Sequence, residues 1–577
     1  MARVKIGKLD IDPVRSPAIL DTTTWNPASA LRQVKALGVP FWDQVAASPG
    51  RFGSSGRECQ VHPGSHASFR GNDLTLATLG DGQDVFVSIG PAAATNVLGA
   101  PLGELDLAGG LRLAVYPTDM PVLARYLREA NPEKAPRAMG TIPRLGIGDR
   151  HTIAIWPTVF RAMERAGFAA NAIQNSRREL HLLDDLKQGR PAHENYLFSF
   201  GKILEGHAGS TFEGLLQAGV MAALKAPTYP RYGADADHIQ VKRGADGLAR
   251  ARQVLDAARH FTFFTLDVSD VLRYTATTSA SASEADALAS EVLGSAALRK
   301  DVLAYHRRTR TVAGKRYALE DSLLCRLIAK HWGALDAVEA LLAHLETLKG
   351  KDPFDVELSI DENPPEIATV ECITSLEEMV FLAVEIQRRH LPITHVAPHF
   401  GVEKGTDYRC PDGLEGLEAR VHSISKIAEA YGLMLDCHSG DDLKKQTRQV
   451  FGRASQGRIN FKISPSLQDL FAETLYDVQR DLFQYWWDDV YAHVRGEASR
   501  GTAHAAQCLR EFEARPVPHP STALFRSYCF FAVGRRDADG RFVNRERLYD
   551  LTPEFTREYD RRLESLLLEV AADVYGA

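Results

Sequence analysis

From about residue 140 onward, short apolar runs alternate with longer stretches in which apolar residues recur three and four positions apart. The runs PRLGIGDR, FAANAIQN, RYGADADHI, FTFFTLDVSD, DVELSIDE, ITHVAPHF, LMLDCHSG and RINFKISPS have the length and punctuation of buried strands. Between them, PTVFRAMERAG, SRRELHLLDDLKQG, STFEGLLQAGVMAALKA, DGLARARQVLDAARH, SLEEMVFLAVEIQRR, GLEGLEARVHSISKIAEAYG and DDLKKQTRQVFG carry helical periodicity. Eight such βα units predict an α/β fold, a TIM (β/α)8 barrel, with an open doubly wound sheet as the alternative that shares the same local pattern. After FTFFTLDVSD a long helical pattern stands where a short loop is expected, so a helical insertion over about 275–350 is predicted on the catalytic side. Residues 1–139 mix glycine- and proline-rich turns with one plain helix, TDMPVLARYLREANPEK, and read as an accessory α+β region. Residues 140–577 read as the barrel domain, with the insertion and a C-terminal helical extension.

Several strand-like runs end on chemistry: Asp237-His238, Asp361-Glu362, His399 and His438. In a barrel these positions ring the mouth where the βα loops build the active site. Two imidazoles, His238 and His438, with the carboxylate of Asp361 suit Zn, Mn, Co, Ni or Fe rather than an all-oxygen magnesium site. Such a trio leaves coordination positions for substrate oxygens. Asp237 and Glu362 are then the candidate proton shuttles. Glu357 shares a strand face with Asp361 and would lie deeper, either as a buried supporting acid or as an outward residue paired on a helix. Lys242, Lys404, His399 and Ser439 are candidates for substrate binding. So is Lys462, which sits mid-strand in INFKIS, where a lysine is costly unless paired or functional. LGIGDR lacks the third glycine of a dinucleotide fingerprint, so no nicotinamide is expected.

Composition narrows the partners. The chain has 577 residues, 45% hydrophobic and 25% charged, with a formal charge of -6 and a pI near 6.4. It lacks the basic footprint that nucleic-acid or membrane-surface binding uses, which leaves a small molecule as the expected partner. MARVKIGKLDIDP has no apolar signal core and no run of about 18 apolar residues occurs, so a cytoplasmic protein is expected. Seven cysteines without a CxxC pair read as reduced thiols. The accessory region and the insertion are candidates for homo-oligomer contacts or for covering the mouth.

The ordered strings GIGDR, YGADADHIQVKR, ELSIDEN, APHFGVEKGTDY, LDCHSGDD and FAVGRRDADGRFVNRERLYDLTPEF resemble the tagaturonate epimerase family across roughly residues 115–575. The resemblance implies a metal-dependent barrel enzyme interconverting tagaturonate and fructuronate, with relatives acting on tagatose and fructose. The family's motifs fall on Asp237, His238, Asp361, Glu362, Glu403, Lys404, Asp407, His438 and Ser439. Two departures are the long N-terminal region and His399, which stands where a different basic residue is expected. The Asp-His and His-Ser-Gly strand ends also resemble class II aldolases, a likeness of fold and site. Aldolase chemistry fits the reaction, because C4 of a 2-ketose is not adjacent to the carbonyl and cannot be inverted by simple enolisation. Retro-aldol cleavage of C3–C4 with reclosure, or transient oxidation at C4, are the remaining routes, and the first is expected. A true aldolase, an aldose–ketose isomerase and a catalytically silent sugar-binding homologue are the competing readings.

Overall fold

The structure is a computed structural model that describes residues 3–576 apart from 8, 54–57, 92–95, 149–154, 177–179, 192, 198–200, 207–208, 363, 365–366, 404 and 540. Eight parallel strands close into a barrel: β1 (Arg144–Ile147), β2 (Ala169–Ser176), β3 (Tyr232–Gln240), β4 (Phe263–Asp267), β5 (Asp355–Ser359), β6 (His395–Ala397), β7 (Met434–Cys437) and β8 (Ile459–Ile463). β8 pairs back to β1, Lys462 opposite Gly146, which removes every sheet edge. The fold is therefore the TIM barrel that the alternating pattern predicts, and each predicted run supplies one strand.

The outer helices follow from their apolar stripes. α1 (Trp156–Ala166) buries Trp156, Val159, Phe160 and Met163 and stops at Gly167, whose φ of 71° is the left-handed conformation that ends a helix. α2 (Phe212–Lys225) is capped by the Thr211 side chain, and α3 (Gly247–Ala257) follows β3. The predicted insertion contains three short helices and a small antiparallel hairpin, Arg310–Val312 with Lys315–Tyr317. It then runs into α4 (Asp321–Lys349), which buries Leu324, Ile328, Leu335, Val338 and Leu342 and leads directly into β5. Part of the predicted insertion is thus the crossover helix itself. α5 (Leu376–Arg388) opens with a Ser375/Glu378 capping box, and α6 (Gly413–Ala430) and α7 (Lys445–Ser455) complete the crossovers. The C-terminal helices begin with α8 (Pro465–Val478) and end with α9 (Pro553–Tyr575), which joins α1 through Thr158–Asp560, 2.8 Å, and α7 through Arg448–Asp573, 2.7 Å.

The crossover from β2 to α2 departs from the helical reading of SRRELHLLDDLKQG. Among the described residues there, Leu182–Gln188 alone is α-helical, and an antiparallel hairpin, Glu194–Leu197 with Gly201–Leu204, follows. Ahead of the barrel, a five-stranded antiparallel sheet spans Cys59 to Tyr116. Its side chains alternate between two cores: Leu74, Leu76, Phe86 and Tyr116 join the barrel side, while Val85, Val87, Leu113 and Val115 pack on Val34 and Trp42 of the preceding helices. Lys134 locks this layer to the end of α2. Its buried ammonium donates to the carbonyls of Ala223, Ala226 and Thr228 at 3.1, 2.7 and 2.6 Å, and burial pushes its pKa down to about 8.

All seven cysteines are unpaired and buried. Among the described residues no helix is long and apolar enough to cross a membrane.

Candidate active site

β3 shows how one short strand presents two consecutive polar groups. Asp235 and Asp237 share the inward face by simple alternation. His238 joins them because β3 carries one extra residue against β4: Ala236 pairs with Phe264 but Ile239 with Leu266. This β-bulge places His238 at φ 52°, a left-handed conformation that costs a residue with a Cβ on the order of 1 kcal/mol or more. The bulge turns the imidazole toward the mouth, and Asp267 at the end of β4 holds its Nδ1 at 3.3 Å. The outer nitrogen, Nε2, faces Glu362 at 3.7 Å and Asp237 at 3.9 Å.

β7 and β5 build the opposite side. His438 follows the last residue of β7, with Ser439 again left-handed at φ 54°. Its Nε2 lies 2.8 Å from Glu357, and its Nδ1 lies 2.9 Å from Asp361. The Ser359 hydroxyl donates to the other oxygen of Asp361 at 2.7 Å. The rings of His238 and His438 stand 4.8 Å apart. Each imidazole is therefore held from behind by a buried carboxylate and presents its second nitrogen to a mouth acid, the arrangement that orients metal-binding histidines. Among the described residues, His238, Asp361 and His438 do not bring their ligand atoms all within 4.8 Å of one another. The reason is local: in this arrangement Asp361 pairs with His438 while His238 leans to Glu362. The donor set suits a divalent ion, with His438 and Asp361 on one side and His238 and Glu362 on the other.

Beneath them lies Lys462, the lysine in the middle of β8. Only 4% of its side chain is exposed, and its ammonium meets Asp235 at 3.2 Å, Asp237 at 3.0 Å and Glu357 at 2.8 Å. Thr265 accepts a further bond from it at 2.8 Å. The continuous chain Asp361–His438–Glu357–Lys462–Asp237 thus joins four strands. Burial alone would raise the pKa of Asp237, but His238, Lys462 and His438 hold it well below the usual carboxylate range. Asp361 is likewise pulled down against burial by His438. Two neighbours go the other way. Burial pushes Asp235 up to about 7, and burial with the nearby charge of Glu357 raises Asp436. The interior thus holds some carboxyls as acids and others as carboxylates, a separation that suits acid–base work.

His399, after β6, is buried. The main-chain N–H of Gly401 donates to its Nδ1 at 3.1 Å, which assigns the proton to Nε2 in the neutral ring, and burial lowers its pKa toward that neutral form. Among the described residues Nε2 has no hydrogen-bond partner. In that tautomer Nε2–H is a hydrogen-bond donor. Ser439, Asp361, Glu362 and His438 line a cleft of about 130 Å³ with Phe400 and Val402.

Of the remaining candidates, Glu403 lines this same cleft. Lys242 is half-exposed, 3.9 Å from Asp270, and Lys404 lies outside the described residues. Glu403 accepts from Thr369 and pairs with Arg409. Asp407 accepts from the Lys444 N–H at 3.0 Å and the Thr447 hydroxyl at 2.8 Å, securing the start of α7. A larger cavity, about 620 Å³, shares no lining residue with this cleft and lies between the N-terminal segment, α1 and α2, lined by Trp25, Phe160 and Met221. Sequence reasoning missed Asp267, Asp235 and Asp436. The first ends its own strand-like run, FTFFTLD, as the others do. The second and third stand two residues before Asp237 and His438, on the same strand face.

Residues 206–468 match the family model UxaE, tagaturonate epimerase. This segment contains β3 to β8 and every polar side chain of the mouth described above. The native structure of the fructuronate-tagaturonate epimerase UxaE from Cohnella laeviribosi is 20% identical, covering 94% of this chain and 100% of its own, with a TM-score of 0.65. Its complex with one glycerol gives 20% identity, 94% and 99% coverage and a TM-score of 0.64. At that identity the structural likeness speaks for the fold. No curated protein sequence matches.

Proposed function

We propose that this protein, whose residues 206–468 match the tagaturonate epimerase model, is an isomerase that inverts C4 of a 2-keto sugar, tagaturonate or a neutral ketose such as tagatose, by retro-aldol and aldol steps. The observation that carries the reading is the pairing, across one mouth, of a deprotonated carboxylate, Asp237, with two carboxylate-oriented imidazoles, His238 and His438. Held by His238, His438 and Asp361, with Glu362 beside them, a divalent ion of the Zn, Mn, Ni, Co or Fe class would polarise the C2 carbonyl.

In this reading Asp237, or Glu362 from the other side, accepts the C4 hydroxyl proton. The C3–C4 bond breaks, its electron pair moves to C3 and is delocalised onto the C2 oxygen as an enediolate, and C4 becomes an aldehyde. Rotation of that aldehyde presents its other face; C3 attacks it and the proton returns to the new C4 alkoxide. Electrons balance without an external oxidant. Lys462 acts as a positioning residue that keeps Asp237 charged. His399, through Nε2–H, donates to a substrate hydroxyl or carboxylate. Ser439 and Lys404 stay candidates for the substrate's far end, and the half-exposed Lys242 for its approach.

The test is incubation of metal-loaded protein with tagaturonate, fructuronate, tagatose and fructose, followed by separation of C4 epimers. Epimer formation by the unaltered chain and its loss in D237N and in H238A/H438A support the reading. Release of three-carbon products as the main outcome identifies an aldolase, an aldose product identifies an isomerase, and no turnover with any of the four leaves a sugar-binding homologue.

A further inference from the structure

We propose that His181, His193 and Glu205 form a second divalent-cation site, of the zinc class, in the crossover between β2 and α2. The three side chains can each offer one ligand atom, with all three atoms within 4.8 Å of one another. None of them belongs to the mouth described above, and the inference stands whether or not the epimerase reading does.

The surroundings are those of a built site. Asp185 is fully buried and accepts from His193 Nδ1 at 2.7 Å, which fixes the proton there and leaves the Nε2 lone pair for a ligand. Arg190 holds the other oxygen of Asp185 at 3.0 Å. Glu205 has 1% of its side chain exposed. Arg250 donates to its Oε1 at 3.0 Å and the His181 main-chain N–H donates to its Oε2 at 3.0 Å, so both oxygens are oriented. His181 Nδ1 stands 3.3 and 3.1 Å from the two oxygens. Ligand atoms about 2.0–2.2 Å from a tetrahedral ion are spaced at about 3.3 Å, so one ion can bridge this pair. The two rings are 4.6 Å apart. His193 is half-exposed and His181 less so, which leaves a fourth position facing water. Two histidines and a glutamate form a donor set that zinc prefers.

The position suggests what the ion does. His181 precedes the helix Leu182–Gln188, His193 precedes the hairpin and Glu205 follows it. An ion there joins the two ends of the hairpin to that helix, whose Leu182 and Leu186 pack on Ile6, Ile11 and Ile19 of the N-terminal segment. The Glu205–Arg250 bond extends the tie to α3.

The experiment uses the full chain, stripped with a chelator and reloaded with Zn²⁺, and counts zinc per chain by mass spectrometry. H238A/H438A, which empties the mouth, should keep one equivalent, and adding H181A/H193A should remove it. D185N should bind this equivalent about 10- to 100-fold more weakly. In the unaltered chain, Zn²⁺ should slow diethyl pyrocarbonate labelling of His181 and His193, a readout that needs no variant to fold. A mouth variant that holds no zinc, a quadruple variant that keeps it, or labelling of both histidines unchanged by Zn²⁺ would each overturn the proposal.

Discussion

At the lower end of the barrel, where the strands begin, Arg144 and Asp355 form a closed pair at 3.0 Å. The Met139 and Gly140 N–H groups complete the bonding of Asp355 at 2.8 and 3.0 Å. At the mouth, Asp235, Asp237, Glu357 and Asp361 converge on one lysine and one histidine. The lower pair has one cation for one anion and every oxygen satisfied; the upper network has more acid than base and spreads it over four strands. Charge that is fully matched holds a fold together, whereas surplus negative charge held at a barrel mouth is ready for a cation and for proton transfer.

The contrast breaks most sharply at Asp237. D237N should lower kcat by about 10²- to 10⁴-fold while the thermal midpoint changes little, because the amide keeps the shape and loses the proton acceptor. Steady-state kinetics beside a melting curve on the same sample checks both halves. R144A should do the reverse: an unpaired Asp355 at the lower end costs about 3–5 kcal/mol, read by chemical denaturation, with the folded fraction still turning over. E357Q touches both ends of the network, since Glu357 orients His438 and neutralises Lys462. It should weaken metal affinity by about 10- to 100-fold, measured by competition with a chelating dye.

Acid sensitivity separates a third kind of site. Glu378 is buried, which would raise its pKa, yet Lys330 and His331 hold it down to about 2. A carboxylate with a folded pKa below its unfolded value of 4.5 contributes stability above pH 4.5, and that contribution is lost as the pH falls toward 2. Denaturation at pH 6 and pH 3 should show a drop that E378Q reduces; an equal drop in both proteins would refute this assignment. The smallest effect is at the surface: D407A removes the acceptor at the start of α7 and should cost about 1 kcal/mol without altering turnover.

Much of this was legible in the residues. The barrel strands are runs whose inward and outward faces are both covered, so they stand out as apolar segments even at three to five residues, as HVA in β6 shows. Asp237, His238, Asp361 and His438 were readable because a polar strand end is unusual in such a run. What could not be read depends on closure of the barrel. Lys462 declares itself as a costly lysine, but its partners come from β3 and β5, more than a hundred residues away. The bulge at His238 carries no glycine to mark it. In the β2–α2 crossover, LHLLDDLKQ has helical spacing and hid the hairpin after it, where ENYL and GKIL are too short to compete as a pattern. The pairing of His181 and His193 with Glu205 appears only once that hairpin folds back.

The most direct measurement is turnover of tagaturonate and of tagatose in D₂O by the metal-loaded protein, followed by NMR of the product. Cleavage and reclosure of C3–C4 predicts a C4 epimer in which C3 and C4 keep their protium, formed by the unaltered chain and absent with D237N. Deuterium at either carbon, or an epimer produced equally well by D237N, would contradict it.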